Sequence, residues 1–466
     1  MSAALARLLD DALDALDHPV ESTDGERAEA RELAALADRT SAALAAHGVM
    51  PGEPVHIRIG NRPADLGALL GLWRTGAVAV PVHASAASST VERLQRRTGS
   101  RLLVDRDRID VIAAAAPPAR PVLREAAVVI FTSGSTGEPK GAVIGHQRLA
   151  DKLAILDQLL GLHAADVVLV PLQLSFIFGL WVSLLALMRG ARLVLMPRYA
   201  RDAIMRGLQD ATVLAGVPSM YRTLLAEPPP NVPNLRLIMT GGEVLPPRLA
   251  GALRGFAPAA IYDLYGLTET GSCDFCLAPA DQPAGFGSIG RPTERVAYRI
   301  VQGGVAVAPA ATGELQVSTP FGMLGYLDDP QLTAASFEDG YFKTGDLARL
   351  RADGRVELVG RAKDIVSRGG QKIAPLEIDN LLAEHPDIAA ALCAGVPDER
   401  LGEVIHAAVV PRTGARVDAV ALREWMLART ERYKVPAVFY VLDALPAGST
   451  GKADRRAVAR LPGKHS

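Results

Sequence analysis

The stretch Val128 to Gly141 reads VVIFTSGSTGEPKG and carries residue types suited to holding an anion. Glycines at 134 and 137 let the backbone turn tightly, so that successive N–H groups can face one concavity. The hydroxyls of Thr132, Ser133, Ser135 and Thr136 add donors, and Lys140 adds a compact positive charge. Together these groups suit phosphate oxygens. The Gly-x-x-x-x-Gly-Lys-Ser/Thr spacing of a Walker A loop is missing. A flexible Gly/Ser turn at a strand end has the same composition, so the loop alone leaves both readings open.

Three further stretches hold groups that could do chemistry. Gly241, Gly242 and Glu243 follow an apolar run, a second glycine turn of the kind that binds ligands at the carboxyl ends of strands. IYDLYGLTETGSC offers an aromatic face at Tyr265, a hydroxyl at Thr268 and, at Glu269, a hard oxygen ligand for Mg2+. PAGSTGKADRR, residues 446–456, is a Gly/Ser loop with Lys452 among basic neighbours. Cys273 and Cys276 form a CxxC, but the chain holds only one other cysteine, Cys393, and no second CxxC or histidine pair completes a metal site. A structural or pocket-lining role is expected for the pair. His146, at the start of a helical pattern, reads as a buried or capping histidine rather than a catalytic one.

A chain of 466 residues suggests two or three domains. The net charge of −1, with 22% charged residues, argues against a non-specific nucleic-acid binder. Three cysteines give no disulfide framework and fit a reducing cytosol, so a cytoplasmic location is expected. The N-terminal residues are amphipathic but contain acids, unlike a secretory signal. The longest apolar stretch, Phe176 to Met188, falls short of the ~20 residues of a membrane span.

The elements that must position these groups follow an alternating rhythm. A helix over Glu29–His47 is followed by a strand in PGEPVHIRI, then by helix, turn and strand in ADLGALLGLWRTGAVAVPV. Strands are expected at Leu102–Asp105, Ala126–Phe131, Val167–Pro171, Arg192–Met196, Ala211–Gly216 and Leu235–Thr240, with helices at His146–Leu162 and Ser175–Met188. This predicts an α/β fold with a largely parallel sheet. From Gly287 short strands and turns predict a β-rich subdomain, and roughly the last 100 residues read as a small α+β domain.

The ordered set FTSGSTGEPKG, YGLTE, YFKTGDL, GRAKD, RGGQKIAPLEI and STGKADRR resembles the adenylate-forming superfamily over about Glu29 to Arg456. That superfamily comprises acyl- and aryl-CoA synthetases, the adenylation domains of peptide synthetases, and luciferases. The resemblance implies a large N-terminal domain, 1–362, and a small mobile C-terminal domain, 363–466, hinged at Lys363. It also implies two half-reactions: a carboxylate and Mg-ATP give an acyl-adenylate and pyrophosphate, and a thiol then displaces AMP. An anhydride formed in-line between two anions requires charge neutralisation and fixed geometry.

Carried over by position, Thr132, Ser133, Gly134, Ser135, Thr136, Gly137 and Lys140 would wrap the β- and γ-phosphates. Thr268 would contact the α-phosphate and Glu269 would bind Mg2+. Gly242, Glu243, Asp263 and Tyr265 would bracket adenine, Asp346 would hold the ribose hydroxyls, and Arg361 would assist. Lys452 would stabilise charge during adenylation. Gly369 and Gly370 would let a pantetheine arm pass. The acyl pocket would be lined by Phe176, Ile177, Phe178, Trp181, Ile238, Thr240, Leu264, Ser272 and Cys273.

Ile177 stands where amino-acid-activating relatives keep an aspartate for the substrate ammonium. A buried cation facing isoleucine would be unpaired, at a cost of several kcal/mol, so α-amino acids are not expected as substrates. Trp181 and Phe178 should shorten the pocket, favouring an aryl or short-to-medium acyl acid. The aromatic–His pair usual near the acyl pocket is replaced by Ser175-Phe176. The GGQKIAP run suits CoA as acceptor. The alternatives are transfer to an acyl or aryl carrier protein or to a nitrogen nucleophile, or a non-catalytic nucleotide-binding homologue.

Overall fold

The computed structural model describes residues 4–115, 117–132, 139–226, 232–446 and 453–462. Its architecture is α/β, built on two large sheets. The first has a parallel centre of five strands, Arg192–Leu195, Val167–Val170, Val213–Gly216, Leu237–Gly241 and Ala260–Tyr265 in spatial order. Phe275–Leu277 extends it antiparallel beyond Ala260–Tyr265. In the second sheet Leu102–Asp105, Pro54–Ile59, Val78–His83 and Ala126–Thr132 run parallel, and Lys140–Gly145 folds back antiparallel on the last of them. These strands are near-continuous runs of Val, Ile, Leu and Ala, as expected where both faces of a sheet are covered.

The two sheets share one apolar core. It joins Ile57, Val128 and Ile144 of one sheet with Val168, Leu193 and Met239 of the other. The helices Ala4–Asp14, Ala30–Ala46, Pro63–Arg74, His146–Leu160 and Ile177–Met188 fill the space between. A separate cluster covers the opposite face of the first sheet. There Leu214, Ile238 and Ile261 meet Ile204, Tyr221 and Leu253 from three shorter helices.

Because successive strand side chains point to opposite faces, Met239 and Ile238 belong to different cores. That alternation matters for the site.

The β-rich part follows as expected. Ala297–Gln302, Gly313–Ser318, Tyr341–Leu350 and Val356–Arg361 form an antiparallel meander. A smaller sheet pairs Ile388–Asp398 with Gly402–Pro411, adds Val438–Val441 in parallel, and is covered by helices Pro375–Ala383 and Ala419–Leu427. Among the described residues, no helix is long and apolar enough to cross a membrane.

Candidate active site

The carboxyl ends of the central strands and the antiparallel meander converge on one set of polar groups. Thr132 closes the strand Ala126–Thr132, and its hydroxyl donates to Glu269 Oε1 at 3.0 Å. Tyr326 donates to the same oxygen at 3.2 Å, and Lys140 Nζ lies 5.5 Å from the centre of the Tyr326 ring. Burial and the Glu269 charge push the Tyr326 phenol up, so it remains a donor at neutral pH. Thr268 and Glu269 lie in a short 3-10 turn, Thr268–Thr270, directly after Ala260–Tyr265. This donor set is all oxygen, a carboxylate flanked by hydroxyls, and it fits Mg2+. Residues 133–137, which hold Ser133, Gly134, Ser135, Thr136 and Gly137, lie outside the described residues, as does Lys452.

A second group forms around Asp346, which sits in Tyr341–Leu350 and is 3% exposed. Its Oδ2 accepts from the Tyr265 hydroxyl at 2.7 Å, and its Oδ1 pairs with Arg361 Nε at 2.9 Å. Arg361 lies opposite Asp346 in the neighbouring strand, so sheet register creates the ion pair. The Asp346 charge in turn holds the Arg361 guanidinium up.

Asp263 faces Thr240 across paired strands, and burial raises its carboxyl to about 8. The Thr240 hydroxyl is buried without a partner among the described residues. Glu243, in the turn after Gly242, is held by the Ser219 hydroxyl at 2.9 Å and lies 3.7 Å from Arg222. Lys363 follows Arg361 in the turn Ala362–Asp364, where partial burial and the Arg361 charge pull its ammonium down. Gly369 and Gly370 form the tip between Val366–Arg368 and Gln371–Ile373.

The apolar wall is built by helix Ile177–Met188 against the end of the first sheet. Phe178 and Trp181, one helical turn apart, stack with ring centres 5.2 Å apart and planes at 25°. Trp181 Nε1 donates to Ser272 Oγ at 3.3 Å. Ile177, Trp181, Leu264 and Cys273 share the inter-sheet core, and Phe178 packs against it. Phe176 precedes the helix as its N-cap. Burial pushes the Cys273 thiol up to about 12 and raises that of Cys276, so neither is a thiolate at neutral pH.

The structure does not bring Ile238 to this wall. It packs in the cluster on the other sheet face, and Thr240, two residues on, points the same way. The residues of that strand on the wall's side are Met239 and Gly241. A Cβ at Gly241 would lie 2.5 Å from the Leu264 carbonyl oxygen, so glycine is required for the two strands to approach there. A one-residue shift of register along a strand accounts for the difference.

Two supporting residues were missed by sequence reasoning. Asn61 is fully buried; its amide donates to the carbonyls of Leu172 at 2.7 Å and Met196 at 3.1 Å and accepts from Leu174 N at 2.8 Å. It therefore fixes the segment that leads into Phe176. Lys152 is fully buried and donates to the Cys273 carbonyl at 2.6 Å. A lone asparagine after a strand and a lysine inside a helical pattern carry no motif, so nothing in the sequence marks them. His146 lies edge-on to Trp73 at 6.1 Å, and burial pulls its ring down to about 4, leaving it neutral.

The oxygen set around Glu269, the Asp346–Tyr265–Arg361 cluster and the adjoining apolar wall, all at strand ends of this fold, fit an adenylate-forming enzyme. Residues 12–327 match the AMP-binding enzyme family and residues 377–452 the AMP-binding enzyme C-terminal domain, and the chain belongs to that family, as an AMP-forming acid–thiol ligase.

Among curated proteins, it is 32% identical to a feruloyl-CoA synthase of an Amycolatopsis species, covering 92% of this chain and 93% of that one. It is 33% identical to an indoleacetate–CoA ligase of Aromatoleum aromaticum, covering 92% of each. A fatty acid–[acyl-carrier-protein] ligase of Streptomyces coeruleorubidus is 30% identical over 90% of this chain and 88% of its own length. Among solved structures, ATP-bound MatB from Rhodopseudomonas palustris superposes with a TM-score of 0.86 at 25% identity, covering 98% of each chain. The o-succinylbenzoate CoA synthetase of Bacillus subtilis with its acyl-adenylate gives 0.83 at 27%, covering 96% and 97%.

Proposed function

We propose that this enzyme activates an apolar carboxylic acid, aryl or of short to medium chain, to its acyl-adenylate with ATP, and then transfers the acyl group to the thiol of CoA. The observation that carries the acid class is the wall of Ile177, Phe178, Trp181, Leu264 and Cys273, which holds no charged side chain where an ammonium would need one. The relatives named for CoA esters of ferulate and indoleacetate, both aryl acids, support the same class and acceptor.

In this reading Thr132 and Lys140, with residues 133–137, hold the β- and γ-phosphates. Thr268 orients the α-phosphate. Glu269, fixed by Thr132 and Tyr326, holds Mg2+, which supplies charge neutralisation between the anions when bound. Tyr265 presents its face to adenine, with Gly242, Glu243 and Asp263 around the base. Asp346, fixed by Tyr265 and Arg361, takes the ribose hydroxyls. Lys452 neutralises the developing charge as the carboxylate attacks the α-phosphorus and pyrophosphate leaves. The region 363–466 then turns about Lys363 and brings Gly369 and Gly370 to the pantetheine arm. A cytoplasmic setting, where ATP and CoA are available, belongs to the same proposal.

The test is ATP–pyrophosphate exchange over a carboxylic-acid library, followed by mass detection of the CoA adduct. Strong exchange with an aryl acid and a CoA thioester of matching mass is expected. A best response to palmitate or to an α-amino acid would refute the acid class. The likeness to the fatty acid–[acyl-carrier-protein] ligase supports a second reading, transfer to a carrier-protein pantetheine. Thioester formation on a phosphopantetheinylated carrier, with none on free CoA, would select it.

A further inference from the structure

The turn that bears Glu269 at one end bears the acyl wall residues Ser272 and Cys273 at the other. Ser272 and Cys273 both lie in the left-handed region, with φ of 69° and 50°, a conformation that non-glycine side chains hold only when their surroundings enforce it. Main-chain bonds from Ser272 N to the Leu267 carbonyl at 2.8 Å and from Asp274 N to the Tyr265 carbonyl at 2.7 Å hold it locally, and one helix adds side-chain support. His146–Leu160 starts where the hairpin around the phosphate loop ends.

From that helix Arg148 and Lys152, four residues apart and so on one face, reach across to the turn. Arg148 Nη1 donates to the carbonyls of Gly322 at 2.8 Å and Met323 at 2.7 Å, and Met323 N donates to the Glu269 carbonyl at 2.8 Å. Lys152 Nζ donates to the Cys273 carbonyl at 2.6 Å, an oxygen that also accepts from the Thr293 hydroxyl at 2.9 Å. Its ammonium also lies 5.1 Å from the centre of the Phe321 ring.

Asp274, the next residue in the turn, is fully buried, and burial raises its carboxyl to about 7. It takes the Thr270 hydroxyl on one oxygen, while the other has no partner among the described residues. A buried lysine bound to a main-chain oxygen, with a buried aspartate next to it, is more polarity than packing needs. It does hold a strained turn at a fixed height above the acyl helix, where Ser272 meets Trp181.

We propose that Lys152 and Asp274 are positioning residues for acid selectivity. They set the Ser272–Cys273 segment, and with it Trp181, while Arg148 holds the Glu269 end independently. The proposal rests on the reading that the acid meets this wall. Replacing the ammonium by an apolar chain of similar length leaves the Cys273 carbonyl with Thr293 alone, and the left-handed pair relaxes.

The experiment compares wild type, Lys152→Met and the double variant Lys152→Met/Asp274→Asn, using the acid that the wild type activates best. Expected for Lys152→Met is a rise of about tenfold in KM for the acid, a KM for ATP within about twofold of wild type, and a reduced preference between that acid and the next larger one. The double variant removes the unpaired carboxylate and should regain melting temperature, yet keep the raised acid KM.

A double variant with wild-type acid KM and preference overturns the proposal. So does a Lys152→Met enzyme whose KM values are both unchanged and whose kcat falls only with its folded fraction. Acrylamide quenching of tryptophan fluorescence, with Trp181→Phe identifying the Trp181 contribution, gives a readout independent of the acid. Trp181 should become more accessible in both variants, and unchanged quenching counts against the proposal. A wild type that activates no aryl or short-to-medium acid refutes the proposed acid class instead, and the quenching result still decides the role of Lys152.

Discussion

Tyr265 and Asp346, 81 residues apart in the chain, are joined by a hydrogen bond of 2.7 Å that ties the parallel sheet to the antiparallel meander. Asp346 is the junction: one oxygen takes this hydroxyl and the other takes Arg361, so the carboxylate cannot rotate. A preset carboxylate of this kind binds a diol without first ordering itself. Asp346→Asn keeps the shape but loses the ion pair and the charged acceptor. Hydrogen bonds to charged groups contribute about 1.5–3 kcal/mol, so KM for ATP should rise roughly 10- to 150-fold. Tyr265→Phe, which keeps the ring, should raise it only several-fold. Exchange kinetics at saturating acid measure both; equal effects of the two substitutions would remove Asp346 from ribose binding.

The Glu269 carboxylate is set by Thr132 and Tyr326, and the two donors come from different strands, Ala126–Thr132 and Gly325–Tyr326, that flank Lys140–Gly145. Groups that orient a metal ligand typically alter metal affinity by about 10- to 100-fold when removed. Tyr326→Phe should therefore raise the half-saturating Mg2+ concentration by about tenfold and leave the rate at saturating Mg2+ near wild type. Titration of exchange activity with Mg2+ checks this. A lowered maximum with unchanged Mg2+ dependence would place Tyr326 elsewhere in the mechanism.

Burial raises Asp263 from 3.8 to about 8, which makes the free protein sensitive to pH in a defined direction. Between these values the folded state holds a proton that the unfolded state has lost. Stability is therefore greatest below the unfolded value and falls as pH rises towards 8, by up to about 1.4 kcal/mol per pH unit. Asp274, raised to about 7, and Asp65, raised to about 6, act in the same sense. Asp263→Asn should melt higher than wild type at pH 8, and the difference should shrink towards pH 4. Melting curves without nucleotide across this range test it, and a constant difference would mean the group stays ionised throughout.

The parallel sheets, the helices between them and the order of the motifs were legible because each depends on local signals. Periodicity, glycine turns and short apolar runs place Ala126–Thr132 and Leu102–Asp105 to within a residue. Groups that meet through register were harder. Asp346 and Arg361 are paired only because their strands align, and Ile238 and Met239 enter different cores because a strand's faces alternate with a period of two. Lys152 and Asn61 act through main-chain carbonyls far away in sequence, and such contacts have no signature in residue type or spacing.

Arg455, three residues past Lys452, is anchored beside the proposed hinge, and the proposed alternation predicts that the two half-reactions are separable. Arg455 pairs with Asp379, donates to the Cys393 carbonyl at 2.7 Å, and lies 3.8 Å from Asp364, the neighbour of Lys363. A turn about Lys363 would therefore carry Arg455 with it. In the proposed mechanism, Lys452 reaches the α-phosphate in one domain orientation and leaves it in the other. Lys452→Ala should lower exchange about 100- to 1,000-fold, the usual effect of losing one charge-stabilising donor. It should leave thioester formation from a supplied acyl-adenylate within about threefold of wild type. Lys363→Pro, which restricts the backbone at the hinge, should show the reverse pattern. Measuring the two half-reactions separately on both variants decides it: equal losses in both would mean that Lys452 serves the whole reaction from one fixed position and that the domains do not alternate.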